Sequence, residues 1–552
     1  MRSRTQVLND LAAVRFDAGL ASGLMPGSVN ARMTVSALPP IPFASALRGA
    51  LEYPYGCAEQ TTSKGYAALM LDASTAKMLG TGGLEQAKRT TRMEGAFSRL
   101  AAMQTSSGHF SMWGDDEYVN QALTPYIVEF LLDAKRGGFA VPEAMLQKAL
   151  KVLSEDVLSG GANFYGYNDR DHMKFAFNAH AGYVLARVNR APLGTLRAMW
   201  DSDRAQSITG LPLVHLGLAL HLQGDIARGT RAIGAGFAVP STQRPDYLGD
   251  YGSRLRDDAL MIALVHEHDL ALPAYAARAV SLGRELDARR NASWFYLSTQ
   301  EQVALARMGK ALMADQAKVV GGTWRVGDVA STATTGRMTG RMFDFAALSR
   351  GASLTPTGAG PLYASFEVAG IPRTAPAPDK SVVDVRRRWF NTKGEPWTGS
   401  TLAEGEALIV QVTISPSRSM PDALLTDLLP AGLEIENFNL GDAGQWAGVV
   451  VDGIDISERN DAAEVRHEEF RDDRYVAALK LDGGTARVFY LVRAVTPGTY
   501  TVPPSLVEDM YRPDLRGVGI SDPTTMTVVA PGRQVAAPAT VASTRQTPAA
   551  SR

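Results

Sequence analysis

A chain of 552 residues exceeds what one hydrophobic core fills, since single cores stop growing near roughly 250–300 residues, so several domains are expected. Apolar residues make up 45% and charged residues 20%, the composition of an ordinary globular protein. Fifty-six basic residues against fifty-seven acidic ones argue against a general polyanion binder, so no nucleic-acid partner is expected, although a local patch stays open.

The N-terminal run MRSRTQVLNDLAAVRFDAG has no apolar stretch of signal-peptide length, and no run of about 18 apolar residues occurs anywhere. The chain opens without a turn or a cap, and reads as a piece of a longer protein entered in mid-domain. Residues 29–38, VNARMTVSAL, have a strand pattern that PPIP at 39–42 punctuates. From Pro42 to about Asp315 the pattern is helical. Residues 97–104 and 123–138 are two segments, the second stopped by Gly137-Gly138, and Pro142 opens the next. About a dozen short, rather apolar helices follow one another with no strand between them, which predicts stacked helical hairpins. Periodicity does not choose between an open solenoid and a closed α/α toroid.

After Gln316 the pattern turns to strands: TWRVGDVAS, RMFDFAAL and GPLYASFEVAG. APAPDK at 375–380 reads as a linker. About seven more strands with turn signals follow, the pattern of a β-sandwich. Residues 532–552, rich in Ala, Thr, Pro, Ser and Gln, predict a disordered tail.

The chain has one cysteine, so it forms no intrachain disulfide and no multi-cysteine metal site. Cys57 lies in LEYPYGCAEQ, three residues before Gln60. Residues i and i+3 share a face on a helical turn, so the sulfur and the carboxamide carbon can approach. Attack of the thiolate on that carbon with loss of ammonia gives an internal thioester, an activated acyl group that must be kept dry. Tyr53, Pro54 and Tyr55 are bulky neighbours of the kind such a pocket needs, and Gly56 lets the backbone turn tightly before the cysteine. Two other readings stand beside this one: a small buried hydrophobe, and a reactive thiolate at a helix N-terminus.

The run Tyr53-Pro54-Tyr55-Gly56-Cys57-Ala58-Glu59-Gln60 closely resembles the thioester motif of the bacterial α-2-macroglobulin family, relatives of complement, whose core is Gly-Cys-x-Glu-Gln. The resemblance covers nearly the whole chain. It includes Trp113 followed by LTPYIVEFLLDA, the stretch 182–197, LLTDLLPAGLEIEN, and EEFRDDRYVAAL. It implies a thioester-containing α/α-toroid domain at 42–310, inserted into a CUB-type β domain whose parts are 1–41 and 311–375. A C-terminal macroglobulin-like β-sandwich at 376–535 and a tail at 536–552 follow. Gly56, Glu59, Tyr53 and Tyr55 support the Cys57–Gln60 cross-link, and Met510 and Tyr511 form a lock over it.

In the complement branch a histidine a little over a hundred residues after the cysteine steers the thioester toward hydroxyls. His172 falls near that spacing, though a polar surface residue is the plainer reading. His180, His215 and His221 read as satisfied core histidines. His266 and His268, two apart, do not share a helix face, so no zinc site is expected. Asp115-Asp116-Glu117 reads as a solvated turn rather than a cation site.

By the resemblance, the parent is a broad endopeptidase inhibitor with no cofactor and no metal. Target proteases are tethered covalently through lysine amines, in a stoichiometric reaction rather than a catalytic one. Location would be periplasmic or otherwise extracytoplasmic, with any membrane anchor supplied by an upstream lipid site. The bait region would lie outside this chain. Competing readings are an α/α-toroid carbohydrate-active enzyme, which needs two carboxylates in one cavity, and a binding module with an inert buried cysteine.

Overall fold

The computed structural model describes residues 2–16, 18–37, 43–78, 84–114, 122–160, 169–290, 297–315, 318–359, 361–436, 448–458, 460–461 and 464–530. The acidic run at 115–117 and the C-terminal tail lie outside these residues. Two compact units divide the chain, Met1–Thr374 and Ala375–Arg552.

The first unit begins with β1 (Arg2–Leu8), β2 (Val14–Arg15) and β3 (Asn30–Ser36). Its last strands are β4 (Val320–Val326), β5 (Val329–Gly336), β6 (Met338–Phe343), β7 (Ala352–Gly358) and β8 (Leu362–Ala369). They form two antiparallel sheets, ordered β1-β8-β3-β6 and β2-β7-β4-β5. Neither sheet closes without both ends of this unit: β3 lies between β8 and β6, and β2 pairs with β7. Phe16, Met33, Trp324, Leu354 and Phe366 fill the space between the sheets. RMFDFAAL is not one strand. Asp344 ends β6 and caps a short helix, Phe345–Ser349, by accepting from Ala347 N at 2.7 Å.

Thirteen α-helices lie between β3 and β4 among the described residues. They are α1 (Phe43–Glu52), α2 (Ala58–Met70), α3 (Ala73–Met78), α4 (Gln86–Ala102), α5 (Leu123–Arg136), α6 (Glu143–Ser159) and α7 (Arg170–Ala186), then α8 (Leu193–Ala198), α9 (Gly210–Leu222), α10 (Ile226–Ala238), α11 (Arg254–Glu267), α12 (Ala276–Arg290) and α13 (Thr299–Asp315). Helices α2, α5, α7, α9, α11 and α13 each pack on the next, and α13 packs back on α2, so the six close into a ring. Of the rest, α1 packs on α2 and α13, α4 on α2, α6 on α5 and α7, α8 and α10 on α9, and α12 on α11, while α3 touches β6. Sequence chemistry sorts the two layers. Helix α4 buries Met93, Ala96, Phe97 and Leu100, a stripe at helical spacing, and leaves the rest wet. Helix α9, GLPLVHLGLALHL, is apolar all round and buried from Gly210 to Leu220, as an inner helix must be.

The inner helices carry a buried polar belt. Glu129 on α5 meets His180 Nε2 of α7 and Arg307 Nη1 of α13, each at 2.8 Å. Arg307 Nη2 reaches Glu267 at the end of α11 at 2.7 Å. Tyr66 of α2 donates to Asp133 of α5 at 3.2 Å, and Asp133 takes Arg187 of α7 at 2.6 Å. His215 of α9 stacks on His180, ring centroids 4.3 Å apart. Burial pushes the Glu129 carboxyl up, but Arg307 and then His180 outweigh it and hold it well below the usual range.

The second unit is a β-sandwich with more and shorter strands than the seven expected. Strands β9 (Val383–Phe390), β10 (Thr401–Ala403), β11 (Ala407–Pro416), β12 (Met420–Leu428) and β13 (Leu433–Glu436) come first, then the small β14 (Val450–Val451), β15 (Ile454–Asp455) and β16 (Asn460–Asp461). They are followed by β17 (Glu464–Arg471), β18 (Arg474–Leu481), β19 (Ala486–Ala494), β20 (Gly498–Thr501), β21 (Ser505–Asp509), β22 (Arg516–Val518) and β23 (Thr525–Val529). The two main sheets run β13-β19-β11-β9 and β17-β18-β12-β21-β22. Trp389, Val410, Leu425, Tyr475 and Tyr490 lie in the core between them. Within it Asp427 is fully satisfied by Arg387 at 2.6 Å, Tyr490 OH at 2.6 Å and Ser505 Oγ at 2.9 Å. Among the described residues no helix is long and apolar enough to cross a membrane.

Candidate functional site

Cys57 and Gln60 meet, but not side by side on a helical face. Cys57 stands just outside α2 as its N-cap, with extended backbone at φ −64° and ψ 173°. Its sulfur accepts from Gln60 N at 3.4 Å, and the Gln60 carboxamide oxygen accepts from Cys57 N at 3.2 Å. This is a capping box in which cysteine takes the place usually held by serine or threonine. The two side chains cross over the first turn of the helix, where the backbone N–H groups carry partial positive charge.

The surroundings fix this turn from every side. Cys57 is 0% exposed and Gln60 1%. Ala58 N donates to Met112 O at 2.8 Å. Arg99 Nη2 donates to Gly56 O at 2.8 Å, and Thr61 Oγ1 donates to the same carbonyl at 3.2 Å. Lys64 Nζ donates to Tyr55 O. Tyr53 and Tyr55 meet edge to face at 5.6 Å. The backbone at Gly56 needs no left-handed turn. Glycine leaves room there for Arg99: a Cβ would stand 2.7 Å from its Nη2 and would push the guanidinium aside.

Glu59 points away from the cysteine and is fully buried. It accepts from Ser63 Oγ at 2.6 Å, Thr299 Oγ1 at 2.6 Å and Gln300 Nε2 at 2.9 Å. Ser63 in turn shares a hydrogen bond of 2.9 Å with Tyr126 OH. The first turn of α2 is thereby tied to the starts of α13 and α5. Reasoning from sequence misses Ser63, Arg99, Tyr126, Thr299 and Gln300. Only Ser63, one helical turn beyond Glu59, could have been found from spacing.

His172 is not a surface residue. It is buried at the start of α7, and its Nδ1 accepts from Ile208 N at 3.2 Å. Burial lowers its pKa against the pull of Asp250, with Arg244 adding. The core histidines also differ from expectation. His180 is satisfied by Glu129, but His215 is held by ring stacking, and His221 Nδ1 is buried without a hydrogen bond. Glu129, His180 and His215 each offer a ligand atom within 4.8 Å of the others, a spacing a cation could use. Two features oppose it. The imidazoles stack 12° from parallel, so their lone pairs do not converge, and Arg307 already neutralises the carboxylate. At the same end of the ring Asp250 and Asp257 are each paired with Arg244 and Arg256, which leaves neither free for acid–base work.

In the second unit Met510 and Tyr511 occupy the loop between β21 and β22. Asp509 organises that loop: its Oδ1 accepts from Tyr511 N at 3.1 Å and Arg512 N at 2.9 Å, and its Oδ2 accepts from Arg512 Nε at 3.0 Å. Met510 N donates to Asp422 O at 3.0 Å.

Comparison with known proteins places this architecture. Residues 383–514 match the family described as the bacterial alpha-2-macroglobulin MG10 domain. The chain is 62% identical over 532 residues to alpha-2-macroglobulin of Xylella fastidiosa, covering 96% of this chain and 32% of that protein. It superposes with TM-score 0.84 at 32% identity on native alpha-2-macroglobulin from Escherichia coli spanning domain MG7 to the C-terminus, covering 96% of this chain and 81% of that one. Salmonella alpha-2-macroglobulin reacted with methylamine gives TM-score 0.85 at 33% identity, covering 96% of this chain and 33% of that one. The chain therefore belongs to the bacterial alpha-2-macroglobulin family. It spans about a third of the length of the curated relatives it matches.

Proposed function

We propose that this chain carries the reactive part of a covalent protease trap. The observation that carries the reading is the reciprocal capping box of Cys57 and Gln60, buried within the Gly-Cys-x-Glu-Gln run. The Cys57 thiol gives up its proton as its sulfur attacks the Gln60 carboxamide carbon, the C–N bond breaks, and the nitrogen takes that proton and leaves as ammonia. The product is a thioester that closes the same loop the capping box already closes. A lysine amine of a target protease then attacks the acyl carbon. The C–S bond breaks, an amide forms and the thiol is released. The partial positive charge at the start of α2 favours the departing sulfur anion. The acyl group is spent once, so the protein acts as a stoichiometric endopeptidase inhibitor. A relative reacted with methylamine supports amine chemistry for the family.

In this reading the helical ring is the thioester-containing α/α-toroid domain, its carrier sandwich the CUB-type domain, and the second unit the macroglobulin-like domain. By the same family resemblance Met510 and Tyr511 are proposed as the thioester lock; within their own unit Asp509 holds the backbone of Tyr511 and Arg512. The setting is periplasmic or otherwise extracytoplasmic, by family. Labelled methylamine tests the proposal. Label should enter Gln60 with release of one thiol, and none should enter Cys57→Ala. Uptake that survives Cys57→Ala, or label at other glutamines only, would sink it.

A further inference from the structure

A cavity of about 240 Å³ lies in the first unit, where α1 and α13 face the sheet β1-β8-β3-β6, and Cys57 does not line it. Arg32 on β3 sits in register between Glu367 on β8 and Met342 on β6, all on the face toward α1. It lines the cavity and is 6% exposed. Among the described residues no hydrogen bond or ion pair reaches its guanidinium. Glu367, its neighbour in register, spends Oε1 on the Ser45 hydroxyl at 2.6 Å. Arg48 on α1 lines the same cavity, and one of its donors rests on the Met342 sulfur at 3.5 Å, a weak acceptor. An acceptor is also left over. Gln302 on α13 donates to Leu297 O at 2.8 Å, while its Oε1 is buried with no partner. Glu52 and Asn30 also line the cavity.

A buried guanidinium with no hydrogen-bond partner is expensive, and proteins supply one or avoid the situation. Burial lowers Arg32 to about 10 against the opposing charge of Glu367, with Arg48 adding to the fall. Two guanidinium groups with unspent donors fit a planar carboxylate. The orphan carboxamide oxygen of Gln302 and the two glutamates fit an N–H or ammonium group beside it. We propose that this cavity binds a small carboxylate that also carries a nitrogen donor, of amino-acid to dipeptide size, with Arg32 and Arg48 on the carboxylate and Gln302 on the donor.

The test is calorimetric titration of the protein with glycylglycine and with glycylglycinamide, which differ only in the carboxylate, at matched ionic strength. The proposal expects saturable one-to-one binding of glycylglycine with Kd of about 1 mM or tighter. The amide should bind at least about tenfold more weakly, and Arg48→Gln should weaken glycylglycine by at least about tenfold, roughly the loss of one charge-assisted hydrogen bond. Arg48 is only half-buried on α1, so this variant keeps the fold even if Arg32→Gln does not. A second measurement separates binding from structure. In the absence of ligand Arg32→Met should melt at a higher temperature than wild type, because it removes a buried guanidinium that has no hydrogen-bond partner. No saturable heat from glycylglycine, equal binding of both compounds, full binding by Arg48→Gln, or a lower melting temperature for Arg32→Met would each overturn the proposal.

Discussion

Cys57 takes the position in the capping box where serine or threonine ordinarily stands, and this sets the scale at which the chemistry is decided. The N-cap side chain and the side chain three residues on are each held over the first turn by a backbone hydrogen bond, which keeps sulfur and carboxamide at the same end of α2. Glu59 holds the turn that makes this possible. Glu59→Gln turns one carboxylate acceptor into a donor facing the donors Thr299, Gln300 and Ser63. It should lower stability by about 1–3 kcal/mol, read from chemical denaturation, and reduce the fraction of protein that takes up methylamine. Another residue-scale prediction concerns Glu508, two residues before Met510. Burial lifts its carboxyl from 4.5 to about 7 despite Arg516, with Asp509 adding to the rise. Between those values the folded protein keeps a proton that the unfolded chain has released. Stability from this group is therefore present below about pH 4.5 and lost as pH rises through 7. Thermal melts across that window should show the decline, and Glu508→Gln should flatten it. A slope unchanged by the substitution would place the proton elsewhere.

At the scale of elements, the ring is closed by α13. It packs on both α11 and α2, and its Arg307 bonds Glu129 of α5 and Glu267 of α11. Arg307→Leu leaves two carboxylates without their cation, one of them fully buried, and should cost about 3–5 kcal/mol in urea denaturation. Adding Glu129→Gln should recover part of that loss, and a strictly additive double variant would show that the two do not act together. The helical character of 42–315 is legible in the sequence because each helix has its own periodicity and its own Gly, Pro or Asp stop. Closure is not legible, because it depends on contacts between α2 and α13, more than two hundred residues apart. The Cys57–Gln60 pair is legible for the opposite reason: its geometry is local. Glu59's partners Thr299 and Gln300 lie 240 and 241 residues away, and nothing near them marks the connection. Phe345–Ser349 fails as a strand because Asp344, an N-cap, overrides the apolar alternation around it. His172 fails as a surface residue because one polar side chain at a helix start gives no sign of the loop at Ile208 that covers it.

For the whole molecule, the two ends of the first unit are interleaved in both sheets, so the helical ring is an insertion the sandwich must accommodate before β8 can pair with β1 and β3. Removal of residues 2–36 should therefore unfold the carrier sandwich, whereas the second unit has its own core and buried Arg387–Asp427 pair and should keep its cooperative melt. The central claim is chemical and is tested on the intact protein. Its mass should be measured by high-resolution mass spectrometry under mild conditions, beside Cys57→Ala. A wild-type protein lighter than its sequence by one ammonia, with no titratable thiol until an amine is added, is the predicted result. A wild-type protein of full sequence mass with a free Cys57 thiol from the outset would contradict the account.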